Sequence, residues 1–393
     1  MRCDYAFALM QPELFTIPGI NFPVPSYGAM TVLAFLLGAL WATHRASKVK
    51  ADPDILLNMS FIALVFGWLG ARVFYVIHYW ERFKDNPIQA ANTCGGGFEV
   101  YGGLIGAGLV TILYLRWRKL SVRVYGDIIM PSLLLGMGIG RIGCFLYGCC
   151  WGGACSPSLP WAVQFPFASP PQVRHWENRE MTIPAELMFI DPSGIGSPLP
   201  RQLLGTEKLA KLEARIDTIK ERLEKARAEN DQATIESIEK RMVPINLVMD
   251  TIHEHYDRFD VTGEQLEAQA GADVYRTRAV HPAQLYGAIG PILMALLLNA
   301  YFYRRTRHGM VVGVALVLYP IQRFFEEIIR SDNPLDTLGL TVSQGVSIAM
   351  LTTGILFILV LQKMPEKAPA AMVVVPPKPS KGKKAVSEEP SPE

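Results

Sequence analysis

Ionisable side chains inside long apolar segments are the residues of this sequence best suited to chemistry. Arg141 lies in the apolar segment 125–148. Arg323 and Glu327 lie in the apolar segment 309–329. A charge at the centre of a bilayer costs at least about 2.5–3.5 kcal/mol, so each group is expected to face a cavity or a charged partner. Because arginine binds phosphate oxygens through a planar fork, two arginines predict an anion site. The alternative is a structural Arg–Glu pair between helices.

A glycine-rich run is the second candidate for a substrate site. It reads Tyr101-Gly102-Gly103-Leu104-Ile105-Gly106. By itself this run is a weak indication of a substrate site. The same spacing of small residues is typical of helix–helix packing in membranes. Both interpretations stay open.

A third candidate lies where a polar segment meets the apolar segment 281–303. His281, Gln284 and Tyr286 are found there. Such side chains at a membrane–water boundary are suited to binding polar lipid headgroups. Residues of an aromatic belt give a similar pattern, so this too is undecided.

Cysteines form a fourth candidate, close behind Arg141. The six cysteines are Cys3, Cys94, Cys144, Cys149, Cys150 and Cys155. They match no standard zinc spacing, and adjacent cysteines do not easily share one tetrahedral ion. We therefore predict small-residue packing and no metal site. A disulfide that uses Cys155 is the alternative on an oxidising face of the membrane.

The elements that position these residues are seven apolar segments. A helical span needs about 20 mostly apolar residues. The candidates are 26–44, 55–79, 99–115, 125–148, 281–303, 309–329 and 340–361. The predicted fold class is an all-α polytopic membrane protein with about seven transmembrane helices. Lysine and arginine concentrate in alternate short loops, which predicts an outside N-terminus and a cytoplasmic C-terminus.

The spans divide the chain into four predicted parts. The first, 1–150, holds an N-terminal arm and spans one to four, and 281–361 holds spans five to seven. Between them lies a soluble extracytoplasmic insertion, 151–280, and a disordered cytoplasmic tail follows at 362–393. Apolar residues at steps of three and four predict a charged helical hairpin over 206–242, with its turn at Asn230-Asp231. We interpret this hairpin as a packing or spacer element.

Composition supports a membrane protein and excludes one class of partner. Half of the 393 residues are apolar, and the formal net charge is only +2. Such a balance does not indicate a polyanionic partner, and we expect no nucleic acid to be bound.

Several of these motifs occur in the same order in the bacterial prolipoprotein diacylglyceryl transferases. They are Tyr27-Gly28, the Gly-Gly-Leu-Ile-Gly run, and the segments 140–152, 281–286 and 319–330. The chain resembles that family across all seven spans. The family's Tyr, Arg and Glu on the penultimate span are matched by Tyr319, Arg323 and Glu327. Their spacing of four places them on one helix face.

The resemblance implies an enzyme of the bacterial cytoplasmic (inner) membrane that acts in lipoprotein maturation. Such transferases move the diacylglyceryl group of phosphatidylglycerol to the lipobox cysteine of a preprolipoprotein and release glycerol phosphate. The implied partners are phosphatidylglycerol, preprolipoproteins and membrane lipids, without a metal or organic cofactor. The implied catalytic residues are Arg141, Arg323, Tyr101 and Glu327. The implied substrate-binding residues are Tyr27, Gly102, Gly103, Cys144, His281, Gln284, Tyr286 and Tyr319.

This chemistry agrees with the residue types. A thiolate must attack a saturated carbon while a phosphate ester leaves, and an ordinary cysteine thiol has a pKa of about 8.5. We hypothesise that Arg141 anchors the lipid phosphate and that Arg323 assists departure of the leaving group or activation of the thiol. Glu327 would orient an arginine. Tyr319 and Tyr27 would hydrogen-bond the headgroup or the thiol.

The chain departs from the family pattern at several positions. Many members carry His where this chain has Tyr101, and tyrosine is a poor base because its pKa is about 10. Others carry Asn at position 144, Glu at 149 and Glu at 287, where this chain has Cys144, Cys149 and Gly287. Tyr101 and Gly287 favour the alternative of a non-catalytic member that binds anionic lipid or lipoprotein. An anion transporter is a third hypothesis, weakened because no internal repeat is found.

Overall fold

The described residues fold mainly into α-helices. The computed structural model describes residues 13–17, 22–84, 86–91, 97–190, 194–330 and 339–369. Cys3, Cys94 and positions 370–393 of the predicted tail lie outside these ranges. The described chain opens with β1 (Glu13–Ile17), which pairs antiparallel with β2 (Phe22–Pro25).

Four apolar helices follow and match the first four predicted spans to within a few residues. They are α1 (Ser26–Lys48), α2 (Pro53–His78), α3 (Val100–Trp117) and α4 (Val122–Tyr147). The start of α2 shows why the chain turns helical there. The Asp52 side chain accepts a hydrogen bond from the Asp54 N–H, and Pro53 occupies the first helical position.

The predicted insertion is a folded region with its own strands and helices. Its elements are α5 (Pro170–Glu177), β3 (Met188–Ile190), β4 (Gly196–Pro198), α6 (Thr206–Ala228), α7 (Gln232–Phe259) and α8 (Gly263–Ala270). Strands β3 and β4 pair antiparallel.

Helices α6 and α7 are the predicted hairpin. Its arms are joined by an ion pair between Arg227 and Glu239, at 2.7 Å, and by a contact between His253 Nε2 and Glu213 Oε1, at 3.3 Å. The second arm continues to Phe259, past the expected end at position 242. The predicted helix ended at position 242 because the heptad pattern was followed only to that position.

The hairpin belongs to a hydrophobic core rather than standing apart as a spacer. Ile216, Met242 and Ile252 are buried together with Leu187 and Leu266 from neighbouring elements of the insertion. Burying such side chains contributes about 1.5–3 kcal/mol each. The packing interpretation is therefore confirmed.

Three helices complete the chain. They are α9 (Ala283–Arg304), α10 (Met310–Ile329) and α11 (Val342–Lys363). Within the described residues, six helices are long and apolar enough to cross a membrane, namely α1 to α4, α9 and α11. The multi-pass class is confirmed. Helix α10, the predicted sixth span, is not among the six; it carries Arg323, Glu326 and Glu327, and its crossing stays a prediction.

Two compact units are distinguished by their internal contacts. Unit 1 comprises Met1–Ala29, Arg141–Tyr286 and Ile328–Pro334. Unit 2 comprises Met30–Gly140, Gly287–Glu327 and Leu335–Glu393.

In unit 2, helices α2 and α3 approach through glycines. A Cβ atom added at Gly70 would lie 2.5 Å from the Gly102 carbonyl oxygen, and one added at Gly102 would lie 2.4 Å from that of Gly70. A Cβ atom added at Gly103 would lie 3.2 Å from the Gly67 carbonyl oxygen. These positions are glycine because the two backbones nearly touch. The glycine run is a packing motif, and substrate binding by Gly102 and Gly103 stays a prediction.

Replacing Gly102 with alanine is expected to lower the stability of the protein. The methyl group would overlap the backbone of α2, and overpacking of this kind costs about 1–3 kcal/mol. The melting temperature in detergent measures the effect. Gly108→Ala on the same helix is the matched control, since a Cβ atom there would meet nothing within 4 Å. Equal melting temperatures for the two variants would contradict the packing role.

Buried charges hold the other end of unit 2 together. Asp127 on α4 is fully buried and pairs with Arg305 at 2.7 Å. It also accepts backbone hydrogen bonds from Gly309, at 2.7 Å, and from Val311, at 3.0 Å, at the start of α10. Asp127 therefore caps α10 and neutralises a loop arginine at the same time.

The first residues after α11 are part of the same structure. The His308 N–H donates to the Glu366 carbonyl at 2.8 Å, and the Ala368 N–H donates to His308 Nδ1 at 3.0 Å. Glu366 and Ala368, in the predicted disordered tail, are thus hydrogen-bonded to the loop between α9 and α10.

Candidate active site

An ion pair on α10 is the centre of a polar cluster in unit 2. Arg323 Nη1 contacts Glu327 Oε2 one helical turn away. The Glu327 side chain is fully buried, and that of Arg323 is 12% exposed. Removing either partner of an ion pair with so little exposure to solvent is costly, because the remaining charge would be buried alone. It is the contact that an orienting role for Glu327 requires.

The start of α11 completes this cluster. Arg323 Nη2 donates to Ser343 Oγ at 3.0 Å, and the Tyr101 hydroxyl lies 3.3 Å from the same oxygen. Thr341 Oγ1 donates to Glu327 Oε1 at 3.0 Å. Three sequence-predicted residues, from α3 and α10, therefore meet through two hydroxyl groups that the sequence did not single out. Tyr319 lies on α10 two turns before Glu327 and packs against the core of unit 2.

Glycine at position 287 has a physical explanation in unit 2. A Cβ atom at Gly287 would lie 2.7 Å from Glu326 Oε1. Glu326 is itself buried, at 6% exposure. The carboxylate of Glu326 therefore occupies the space beside position 287. Gly287 has no carboxylate of its own, and Glu326 on α10 places a carboxylate beside it.

Unit 1 brings two other motifs together. The Gly152 N–H donates to the His281 carbonyl, and the His281 N–H donates to the Gly153 carbonyl, both at 3.0 Å. Gly153 also donates to the Ile329 carbonyl at 2.7 Å. A Cβ atom at Gly152 would lie 2.7 Å from His281, so only glycine permits this approach. The segments 140–152 and 281–286 are thus neighbours, as a common site requires.

The side chains of these motifs make two further contacts. Gln284 is fully buried, and its Nε2 donates to the Cys149 carbonyl at 2.8 Å. His281 Nδ1 lies 3.3 Å from the Tyr286 hydroxyl. Arg141 is partly buried on α4, and Tyr27 is 46% exposed at the start of α1. Arg141 belongs to unit 1 and Arg323 to unit 2, so their joint action on one phosphate stays a prediction.

Three cysteines of unit 1 form a cluster at the end of α4. The Sγ atoms of Cys144, Cys149 and Cys150 lie within 4.8 Å of one another. All four described cysteines are free, so the disulfide considered for Cys155 is not formed among them. Hydrogen bonds from the other two thiols lower the pKa of Cys150, and the positive charge of Arg330 adds to this effect.

Sequence reasoning missed some buried polar groups that a known rule would have found. Asp127 lies in the segment 125–148, where the cost of a buried charge already marked Arg141. Thr341 begins a Thr-x-x-Gln capping box, a recognisable helix start, and α11 begins there with both reciprocal hydrogen bonds present. Ser343 carried no signal, because a serine at a helix start is ordinary.

These observations define a class of protein: a multi-pass helical membrane protein with a buried arginine–carboxylate cluster and a folded insertion. A sequence profile described as prolipoprotein diacylglyceryl transferase matches residues 12–360. The chain belongs to this family.

Individual relatives are similar over a smaller region. A phosphatidylglycerol–prolipoprotein diacylglyceryl transferase of Clostridium tetani is 35% identical over 162 residues, which is 40% of this chain and 63% of the relative. One of Rhodopirellula baltica is 36% identical over 155 residues, 38% of this chain and 31% of the relative. One of Bacillus mycoides is 40% identical over 125 residues, 32% of this chain and 46% of the relative. Each alignment thus spans less than two thirds of the relative.

Proposed function

We propose that this protein transfers the diacylglyceryl group of phosphatidylglycerol to the lipobox cysteine thiol of a preprolipoprotein, releasing glycerol phosphate. It does so in the bacterial inner membrane, with its N-terminus outside and its C-terminus in the cytoplasm. Family membership supports the reaction. The observation that carries it is the partly buried cluster of Arg323, Glu327, Ser343 and Tyr101, which holds a cation among apolar helices.

The reaction needs positive charge where the phosphate leaves. The thiol proton is released to solvent, the S–C bond forms, and the bond between the glyceryl carbon and the phosphate oxygen breaks, with its electron pair staying on that oxygen. A guanidinium group in a water-poor site stabilises that charge far better than one in water. Glu327 and Ser343 fix the Arg323 guanidinium from two sides, so little reorganisation is needed. Arg141 is the proposed anchor for the lipid phosphate.

A lipidation assay tests this proposal. Purified full-length protein is mixed with phosphatidylglycerol vesicles and a lipobox peptide, and the peptide mass is measured. The expected product carries one diacylglyceryl group, and glycerol phosphate appears in equal amount. A peptide with serine in place of its cysteine is the control. Binding of peptide or vesicles without any change in peptide mass would instead favour a non-catalytic family member.

Replacing Tyr101 with phenylalanine is expected to have a modest effect on transfer. Its hydroxyl contributes one hydrogen bond to Ser343, at 3.3 Å. A typical hydrogen bond is worth about 0.5–1.5 kcal/mol, which corresponds to a rate loss of about 2- to 13-fold. The measurement is the transfer rate of the purified Tyr101→Phe variant.

A much larger loss would contradict this positioning role for Tyr101. A group that moves a proton in the transition state contributes about 100- to 10,000-fold. A loss in that range, at unchanged melting temperature, would make Tyr101 the acid or base instead. Tyr114→Phe on the same helix controls for removal of a tyrosine hydroxyl.

A further inference from the structure

The chain conformation at the end of α4 brings the side chains of Cys144, Cys149 and Cys150 close together. Gly148 has a left-handed conformation, with φ +87°, and the N–H groups of Gly148 and Cys149 both donate to the Cys144 carbonyl. This is a Schellman-type helix end, in which the residue after the glycine returns over the last helical turn. That return brings Cys149 beside Cys144. At this kind of helix end, an apolar contact between the two corresponding positions is frequent.

A second left-handed residue brings in the third thiol. Cys150 has φ +60°, which reverses the chain directly after Cys149. Adjacent residues in an extended chain point their side chains apart, which is why the sequence spacing argued against a shared ion. The reversal removes that objection. As a result, the three Sγ atoms lie within 4.8 Å of one another.

The cluster has the dimensions and donors of a thiolate metal site. Zinc–sulfur bonds of about 2.3 Å place tetrahedral ligands about 3.8 Å apart. Sulfur atoms already within 4.8 Å therefore need to move by about 1 Å or less. Three soft thiolates select zinc over the hard cations that prefer oxygen.

The surroundings compensate the charge of such a site. Three thiolates and one Zn²⁺ carry a net charge of −1. The guanidinium groups of Arg141 and Arg330 act electrostatically on this cluster. Gln284 donates to the Cys149 carbonyl at 2.8 Å, which fixes the turn that presents the thiols. Such outer contacts hold metal ligands in place.

We infer that Cys144, Cys149 and Cys150 bind one Zn²⁺ ion as thiolates, leaving a fourth coordination position for water. Each cysteine binds as a thiolate, so every thiol proton still present is released to solvent. The ion would tie the end of α4 to the start of the insertion. Zinc binding and lipid transfer are measured separately, so a protein that is an active transferase but binds no zinc would contradict this inference alone.

Cobalt substitution tests the site on the full-length protein. Untagged protein in detergent is treated with a chelator and a reductant without oxygen, and its free thiols are counted. Co²⁺ is then added, followed by Zn²⁺. We expect one Co²⁺ per chain, a thiolate-to-cobalt charge-transfer band, and loss of that band as Zn²⁺ displaces the cobalt. Fully reduced protein that gives no band would overturn the inference.

Variants and protection from alkylation make the test specific. Loss of a contact that supports a metal ligand typically weakens metal binding by about 10- to 100-fold. Cys149→Ser removes a ligand itself, so it should weaken Zn²⁺ binding by at least this much. Cys155→Ser, which changes a free cysteine outside the cluster, should leave binding unchanged. On unaltered protein, Zn²⁺ should protect the three cluster cysteines from iodoacetamide but not Cys155. Equal weakening by both variants, or equal alkylation at all four cysteines, would refute the site.

Discussion

Replacing Arg323 with alanine is expected to lower the rate of diacylglyceryl transfer by at least about 100- to 1,000-fold, the usual loss when one donor to a developing negative charge is removed. Arg323 is held by Glu327 and by Ser343 Oγ, at 3.0 Å, so its charge is fixed in place before the reaction begins. The measurement is the transfer rate from phosphatidylglycerol to a lipobox peptide. Arg116→Ala, at an exposed arginine on α3, is the control and should retain full activity.

Loss of folding could imitate this result, since alanine would leave Glu327 buried without its partner. The double variant Arg323→Gln with Glu327→Gln separates the two effects. Neutral amides of similar size can hydrogen-bond to each other, so the melting temperature should stay close to that of the unchanged protein. Transfer should still be lost. Near-normal activity in the double variant would show that the pair is purely structural.

Replacing Asp127 with alanine is expected to destabilise the protein by about 3–5 kcal/mol, because removing one partner leaves a buried charge uncompensated. Arg305 would lose its ion pair, with its side chain only 7% exposed. The N–H groups of Gly309 and Val311 would lose their acceptor at the start of α10. The melting temperature in detergent reports the loss.

Two comparisons identify the cause of that loss. Asp54→Ala removes an exposed carboxylate near the start of α2 and should change the melting temperature little. Adding Arg305→Met to Asp127→Ala removes the unpaired charge and should recover part of the stability. If the double variant melts no higher than Asp127→Ala alone, the ion pair does not account for the effect.

The sequence predicted the helices well because their cause is local. A run of apolar residues long enough to cross a bilayer has few other stable conformations, since its backbone must satisfy its own hydrogen bonds. The hairpin arms were found for a similar reason, from steps of three and four along one helix face. The pairing of Arg323 with Glu327 follows from their spacing on α10.

Contacts between distant parts of the chain could not be derived in this way. Ser343 reaches Arg323 and Tyr101 only because α11 begins beside α3 and α10 in unit 2. Nothing in the residues around Ser343 encodes that position. The three-thiol cluster was missed for a different reason, because it depends on two left-handed residues, and one of them is Cys150 rather than glycine.

Thr341 links the cap of α11 to the alignment of Arg323, the proposed catalytic arginine. Its hydroxyl accepts from the Gln344 N–H at 3.2 Å and donates to Glu327 at 3.0 Å. Fraying of the first turn of α11 would therefore release Glu327 and let Arg323 swing away from Ser343 in the same event. Helix ends open at lower free energy than helix centres. The lifetime of the aligned guanidinium is then set by how often that single turn unwinds.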